Sequence, residues 1–513
     1  MVILNLDQFF KKLFLGLGII LFSAFVINLS AQLYEVRTTR AFVFSYDNDA
    51  GRGVQTAVLT RWWNSNHFAP YGNLYFRFAH TLAKLAPVHA NKEWSATDKI
   101  EIQHHYALLL VSLLSLTAFC LYLGYLISER WDYAFWMANI FIHLAVLDQT
   151  WVKYIFIVHP DHLLMLMTLF ASYFTLKYTK DHSRRDFIIS AILWGIVTAV
   201  KKATILFIPS FLFLFLSEGF NKQSLIKGIQ FVGFMLLAYL VVGFPQNFSI
   251  YKHIRFLITE SANGTAANVE SVTEYLALIF NQSKYLILAM IPMQVLFGTS
   301  SRLMNKKFLA FTLIAILVLL SGNMISTKEH HVMPHVALIL ITFLFALKLI
   351  PTPSFKYKTI LLSVLGLITL GCLNNVESTF VSQRDNIRAC APEAEAALEV
   401  VKKIQQDKTS ILLRDPYFPF DSAETKLTIQ HWGMSLDLID QSHAQIIGSK
   451  IGFLTSYETR PHKPHVDPDI EKWKKKIEFS RLAPNVQSFT TPQGNTFNRI
   501  YQDKCGYVVW SKK

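Results

Sequence analysis

Residues 105–127 have the sequence HYALLLVSLLSLTAFCLYLGYLI, a run without Asp, Glu, Lys or Arg. A helix needs about 20 apolar residues to cross the hydrocarbon core of a bilayer, so this run predicts a transmembrane helix. Further apolar runs predict a multi-spanning α-helical membrane protein with about eleven spans. The predicted spans are residues 13–33, 105–127, 133–147, 162–178, 187–200, 203–216, 225–244, 285–299, 308–323, 332–349 and 359–373.

The composition of the 513-residue chain supports this fold class. Hydrophobic residues make up 52% and charged residues only 16%, against about 25% charged residues in soluble domains. This excludes a soluble enzyme and a disordered or fibrous chain. The net charge is +14, but many basic residues lie in short loops between apolar runs, where they set topology. We therefore expect no nucleic-acid partner.

The loop charges predict the orientation of the spans. With a cytoplasmic N-terminus, every inward loop is basic, as the positive-inside rule requires. This orientation places three segments outside: the first loop (34–104), the loop 245–284 and the tail 376–513. The inward basic residues are Arg130, Lys177, Lys180, Arg184, Arg185, Lys222, Arg302, Lys306, Lys307, Lys356 and Lys358.

The chain divides into a membrane domain (1–375) and a C-terminal domain (376–513). The tail contains a predicted helix at 392–406 and strand-like runs at 410–413, 450–455, 497–501 and 507–510, which indicate a small α/β domain. Cys390 and Cys505 lie near its two ends, so they are candidates for a disulfide if the tail faces an oxidising compartment. Cys120 and Cys372 lie in apolar runs and are expected to be buried free thiols.

An acidic pair, Asp47 and Asp49, follows the first span in the outer loop. Such a pair can bind a divalent cation, or one carboxylate can act as a general base on a hydroxyl nucleophile. A solvated loop or a helix N-cap is the alternative. The aromatic, amphipathic stretch 54–83 that follows predicts helices lying in the membrane interface.

Two further polar groups lie at outer ends of spans. His159, Asp161 and His162 surround Pro160, which breaks the preceding helix. Ionisable residues at this depth are costly and are therefore functional candidates, although Asp161 could simply cap a helix. Lys201 and Lys202 separate two short spans; they are either anion ligands or residues that extend to the interface.

The last polar group is the outer turn that carries Lys328, Glu329, His330 and His331. Adjacent histidines do not project together as an i, i+4 pair does, so contact with an anion is a better functional interpretation than a metal site. An ordinary interfacial turn is the alternative.

The order of these motifs resembles the glycosyltransferase C superfamily of membrane enzymes that use polyprenyl-linked sugars, which includes protein O-mannosyltransferases and the lipid A aminoarabinose transferase. In that family an acidic residue follows the first helix, then a Pro-aromatic segment, a Pro-acid turn, a Lys-bearing helix pair and an Arg-Tyr-x-x-Pro element. The matching positions here are Asp47 and Asp49, APYGNLY (69–75), Pro160-Asp161, AVKKAT (199–204) and HHVMP (330–334). His-His replaces the usual Arg-Tyr, and Pro70 stands alone where the family has Pro-Pro.

The resemblance implies inverting transfer of a sugar from a polyprenyl-phosphate donor to a lipid, glycan or protein acceptor at the outer face. Asp47 is the expected base, and Asp49 or Asp161 would orient the acceptor or a metal. The expected donor-phosphate ligands are Lys201, Lys202, Lys328, His330 and His331; His159, His162 and Glu329 would position acceptor or donor. No cofactor is required, and a divalent cation (Mg²⁺ or Mn²⁺) held by Asp47, Asp49 and Asp161 is the alternative.

We expect a multi-pass protein of a bacterial inner membrane with a periplasmic C-terminal domain; an endoplasmic reticulum membrane of the same sidedness is the alternative. The competing function is a transporter or lipid flippase. Transporter folds often show inverted repeats with broken helices at matching positions, and no such symmetry is evident in the sequence. A non-catalytic membrane scaffold would explain the tail but not the clustered acids and bases.

Overall fold

The computed structural model describes part of the chain, in segments that include most of the predicted membrane region. The described residues are 6–37, 54, 56–58, 72–85, 96–156, 158–201, 204, 214–215, 221–244, 247, 272–297, 333–347, 379–382, 384–385, 389, 392–393, 396, 399–400, 403, 411–414, 428–430, 444–449, 487–490, 494, 496–502 and 507–512.

The described part of the membrane region is helical, because a helix satisfies its own backbone hydrogen bonds in a medium without water. We number the helices in chain order. They are α1 (Leu6–Arg37), α2 (Asn73–Leu85), α3 (Ala96–Ser128), α4 (Trp131–Leu147), α5 (Gln149–Phe156), α6 (Asp161–Asp181), α7 (Arg184–Val200), α8 (Lys222–Val242), α9 (Val272–Phe297) and α10 (Met333–Leu347).

Among the described residues, four helical segments are long and apolar enough to cross a membrane, or five if a bent pair counts as one span. The four are Leu15–Tyr34, Ile102–Ser128, Lys222–Val242 and Leu276–Phe297. The bent pair joins Thr150–Phe156 to Asp161–Asp181 at 114°. Eight predicted spans thus coincide with described helices. The predicted spans 203–216, 308–323 and 359–373 lie mostly or wholly outside the described residues, and the total of eleven stays a prediction.

One predicted boundary is wrong. The outer loop was expected to extend to residue 284, but α9 begins at Val272. The polar sequence Asn281-Gln-Ser-Lys284 interrupts the apolar run, and a hydropathy pattern therefore ends the span there. These polar residues are nevertheless compatible with helical geometry, so the helix continues through them. Ser283, for example, donates a hydrogen bond to the Ile279 carbonyl of the same helix at 2.8 Å.

Helices α6 and α7 form a hairpin that positions the polar groups of interest. His182 ends α6 in the left-handed conformation at φ 49°, and Ser183 accepts a hydrogen bond from the Asp186 amide at the start of α7. Within the hairpin, the Thr175 hydroxyl lies 2.7 Å from the Ser190 hydroxyl and accepts from Trp194 Nε1 at 2.9 Å. These contacts fix the register of the two helices, so the start of α6 and the end of α7 meet.

Helix α2 belongs to the segment that was predicted to lie in the interface. Its buried residues include Tyr75, Arg77 and Ala79, whereas Phe78 and Leu85 are exposed. It packs against α3 and α7. An amphipathic helix that is buried on one side can lie across the ends of its neighbours, and this is how α2 reaches the end of the hairpin.

The described residues of the tail include a mixed six-stranded sheet in the order β2-β1-β3-β6-β5-β4. The strands are β1 (Ile411–Arg414), β2 (Thr428–Gln430), β3 (Ala444–Ser449), β4 (Ser488–Thr490), β5 (Thr496–Gln502) and β6 (Tyr507–Lys512). β1 pairs in parallel with β2 and β3, and the other pairs are antiparallel. Three predicted strands coincide with β1, β5 and β6, while the predicted strand 450–455 lies outside the described residues. The division into domains at residue 375 stays a prediction.

Candidate active site at the end of the α6–α7 hairpin

Asp161 lies where the chain bends between α5 and α6. Helix α5 ends at Phe156, Pro160 is the N-cap of α6, and Asp161 is its first residue. Since Pro160 and not Asp161 occupies the N-cap position, the interpretation of Asp161 as a helix N-cap does not describe this structure. The bend instead directs its carboxylate toward the end of α7.

Lys201 follows the last residue of α7 and pairs with this carboxylate. Its Nζ donates to Asp161 Oδ1 at 2.9 Å, and the two side chains are 10% and 0% exposed. A lysine that extended to the interface would be solvated; Lys201 is instead part of a buried ion pair. Of the two alternatives raised by the sequence, extension to the interface is therefore excluded for Lys201.

His159 supplies the second contact to the carboxylate. Its Nδ1 lies 2.6 Å from Asp161 Oδ2, and the ring is buried. Because a carboxylate only accepts, Nδ1 carries the proton of this bond. Both oxygens of Asp161 are thus engaged by named partners. The neighbouring His162 is fully buried, and its ring packs edge-on against Trp151 with the ring centroids 6.3 Å apart.

Gly72 brings the Pro-aromatic segment to the same place. Its amide donates to the Val200 carbonyl at 3.0 Å, one residue before Lys201. A Cβ at position 72 would lie 1.4 Å from the Ala199 carbonyl oxygen, a distance that no side chain can occupy. Two motifs separated by more than a hundred residues in the sequence therefore meet through a backbone contact that requires glycine.

Arg77 fastens α2 to the end of α8. Its guanidinium donates to the carbonyls of Val242 and Phe244, which are at or near the C-terminal end of α8, where carbonyls lack helical partners. Burial lowers the pKa of Arg77, yet arginine stays protonated at neutral pH. The same end is closed by Asn247, whose Nδ2 donates to the Tyr239 carbonyl at 2.8 Å. Helix α2 is thereby held across the ends of α7 and α8.

The remaining predicted site residues lie outside the described residues: Asp47, Asp49, Lys202, Lys328, Glu329, His330, His331 and the disulfide candidates Cys390 and Cys505. Within the described segments, no group of three or more His, Cys, Asp and Glu side chains is arranged to hold a metal ion. Cys120 is a buried free thiol, as expected.

Sequence reasoning missed the individual roles of Gly72 and Arg77, and it missed Tyr75 and Ser112, whose hydroxyl oxygens lie 3.2 Å apart between α2 and α3. Gly72 and Tyr75 lie within the quoted segment APYGNLY, so the motif pointed to the right place without distinguishing its members. Arg77 was detectable as a cation on an otherwise apolar helical surface. Ser112 gave no signal, because a serine in an apolar helix usually bonds to its own backbone.

Residues 99–246 match the family model described as dolichyl-phosphate-mannose-protein mannosyltransferase. This segment contains α3 from residue 99 onward and all of α4 to α8, and therefore the Asp161–Lys201 pair. No curated protein sequence matches the chain at a significant level.

Two crystal structures of ArnT from Cupriavidus metallidurans share the fold. The apo structure aligns with a TM-score of 0.52 and the structure bound to undecaprenyl phosphate with 0.50; in both cases the identity is 11%, with 95% of this chain and 97% of the other covered. The match of residues 99–246 to a mannosyltransferase family agrees with the expectation of a glycosyltransferase. The match of residues 99–246 to the mannosyltransferase model and the fold shared with ArnT agree with the resemblance to the glycosyltransferase C superfamily that the sequence motifs indicate.

Proposed function

We propose that this protein transfers a sugar from a polyprenyl-phosphate donor to a lipid, glycan or protein acceptor at the outer face of a bacterial inner membrane, with inversion at the anomeric carbon. The observation that carries the proposal is the buried Asp161–Lys201 pair, held by His159 and reached by Gly72. The undecaprenyl phosphate in the similar ArnT structure supports the donor class.

The charges of the hairpin support the proposed orientation. Its closed end carries Lys180, Arg184 and Arg185, which favours the cytoplasmic side. Its open end, with Asp161 and Lys201, then faces outward. An outward site requires a donor whose sugar is presented on that face, as a lipid-linked sugar is.

In the proposed reaction, the acceptor oxygen attacks the anomeric carbon from the side opposite the phosphate. The new carbon–oxygen bond forms as the bond to phosphate breaks, the acceptor proton goes to a carboxylate, and the departing polyprenyl phosphate gains negative charge. The site thus needs a base on one side and cations on the other.

Lys201 suits the phosphate side. An ammonium group has three N–H donors, and one of them is given to Asp161; the other two can be directed at phosphate oxygens. The carboxylate compensates the charge of Lys201, so further cations are needed to bind an anion. Lys202, Lys328, His330 and His331 are the proposed source.

Asp161 suits a positioning role better than that of the base. Both of its oxygens are engaged and its side chain is inaccessible, whereas a base must reach the acceptor proton. We therefore assign the base to Asp47, with Asp49 orienting the acceptor. A metal at the acidic residues is a separate proposal, which a chelator test addresses.

The test uses the purified protein in lipid nanodiscs with a panel of undecaprenyl-phosphate-linked hexoses and pentoses, and with membrane lipid and protein extracts as acceptors. We expect Asp47→Asn to abolish donor consumption and leave undecaprenyl phosphate binding intact. Asp186→Asn is the matched control, since it removes a buried acid at the opposite end of the hairpin.

Three outcomes would contradict parts of the proposal. Full activity of Asp47→Asn would reassign the base. Loss of activity in chelator, restored by Mn²⁺ or Mg²⁺, would establish a metal requirement. If the folded protein neither consumes any donor nor binds undecaprenyl phosphate, glycosyl transfer is refuted, and lipid flux across liposomes becomes the measurement for a flippase.

A further inference from the structure

Helix α2 touches the candidate active site at a second point besides Gly72. The Tyr75 hydroxyl lies 3.2 Å from Ser112 Oγ and 3.1 Å from the Leu108 carbonyl oxygen, both on α3. Tyr75 and Ser112 are completely buried. Buried hydroxyl groups are costly unless they are hydrogen-bonded, so this contact fixes the position of α2 on α3.

Ser112 continues the connection to the bend before α6. Its hydroxyl donates to the backbone carbonyl of His159 at 3.3 Å. A carbonyl only accepts, so Ser112 uses its single proton for His159 and Tyr75 uses its single proton for Leu108; the 3.2 Å contact between the two hydroxyl groups therefore requires one of these protons to be shared. The two hydroxyl groups thus connect α2, through α3, to the backbone of His159.

These bonds form a closed circuit with those of the ion pair. Starting from Tyr75, the circuit passes through Ser112, His159, Asp161 and Lys201. It returns to α2 through the backbone bond between Val200 and Gly72. Because every link is buried, the ion pair and α2 hold each other in one relative position.

We propose that Tyr75 and Ser112 are positioning residues of the transfer reaction: they hold His159, and through it the Asp161–Lys201 pair, in register with α2. The inference rests on the proposed function, since it assumes that Lys201 contacts the donor phosphate. In this proposal, α2 sets the direction of the Lys201 ammonium, and Tyr75 acts without contacting the donor.

The test compares Tyr75→Phe and Ser112→Ala with Tyr106→Phe. Tyr106 is the matched control because its hydroxyl also donates from α3 to a backbone carbonyl, that of Ser30 at 3.2 Å, but leads to α1. We expect the kcat for donor consumption to fall about three- to tenfold in the first two variants, the range expected from one hydrogen bond. Tyr106→Phe should retain wild-type kcat.

A double-mutant cycle on undecaprenyl phosphate affinity distinguishes positioning from general stability. We expect Tyr75→Phe to weaken the affinity in the wild-type background and to have no further effect in His159→Ala, where the link to Asp161 is already removed. Additive effects, or a wild-type kcat for folded Tyr75→Phe, would overturn the inference. If the wild type and Tyr106→Phe are themselves inactive, the proposed function fails and the inference fails with it.

Discussion

The two ion pairs of the α6–α7 hairpin should differ sharply in what their removal costs. Asp161 and Lys201 at the open end are 0% and 10% exposed, whereas Lys177, which pairs with Asp186 at 3.4 Å near the closed end, is 40% exposed. Removing one partner of a buried pair typically costs about 3–5 kcal/mol, because the other charge remains buried. Asp186 is itself only 5% exposed, but its removal leaves behind Lys177, which can be solvated, so we expect a loss closer to the about 0–1 kcal/mol of an exposed pair.

We therefore expect Asp161→Asn to lower the melting temperature strongly and Asp186→Asn to lower it little. The measurement is thermal unfolding in detergent, followed by the fluorescence of the 10 tryptophans. If Asp161→Asn melts no lower than Asp186→Asn, the argument from burial is refuted.

A double variant separates stability from function. Replacing both members of a buried pair with uncharged residues is often close to neutral, so Asp161→Asn combined with Lys201→Met should recover much of the lost stability. It should still fail to bind undecaprenyl phosphate or consume donor, because the ammonium is missing. A double variant with wild-type activity would show that the pair serves the fold alone.

Two further predictions concern α2. Gly72→Ala should separate α2 from α7 and reduce both stability and donor consumption, since overpacking costs about 1–3 kcal/mol and the new methyl group would overlap the Ala199 carbonyl. Gly233→Ala is the control, because the added carbon would meet no described atom within 4 Å outside its own stretch of helix. Equal melting temperatures would contradict the prediction. Arg77→Leu should destabilise the protein by about 1.5–3 kcal/mol, the range for a charge-assisted hydrogen bond, whereas Asp132→Asn in an exposed pair should have little effect in the same melting assay.

The spans that could be predicted are those with long apolar runs, because the thickness of the bilayer sets a minimum length that a sequence shows directly. The hydropathy pattern predicted both ends of α4 and the C-terminal end of α3 to within a few residues. It missed the start of α3, because this helix begins at Ala96 and includes polar residues before the apolar run. It failed at α9, where polar residues lie within a helix. The mixed pairing of the tail strands, such as the parallel pair β1–β3, depends on contacts between distant segments that alternation does not encode.

The candidate site was predictable in its members and not in its connections. Asp161 and Lys201 were conspicuous as charges at the ends of apolar runs, where burial is costly. That they pair with each other could not be read from positions 40 residues apart, because the pairing depends on the register of the hairpin. Ser112 was indistinguishable in sequence from Ser115, which donates to the Val111 carbonyl of its own helix.

The open end of the hairpin also bears on how this protein enters its membrane. Asp161 and Lys201 are the first and last residues of the segment 161–201. If the basic turn between α6 and α7 stays on the cytoplasmic side, both charges must therefore cross the bilayer. On insertion scales, one such charge at the centre of a helix costs about 2.5–3.5 kcal/mol. If the two helices insert together, the paired ammonium and carboxylate neutralise each other during passage. A nascent chain that stops before residue 201 would leave Asp161 to cross uncompensated, so release of α6 into lipid is expected to wait for the synthesis of α7.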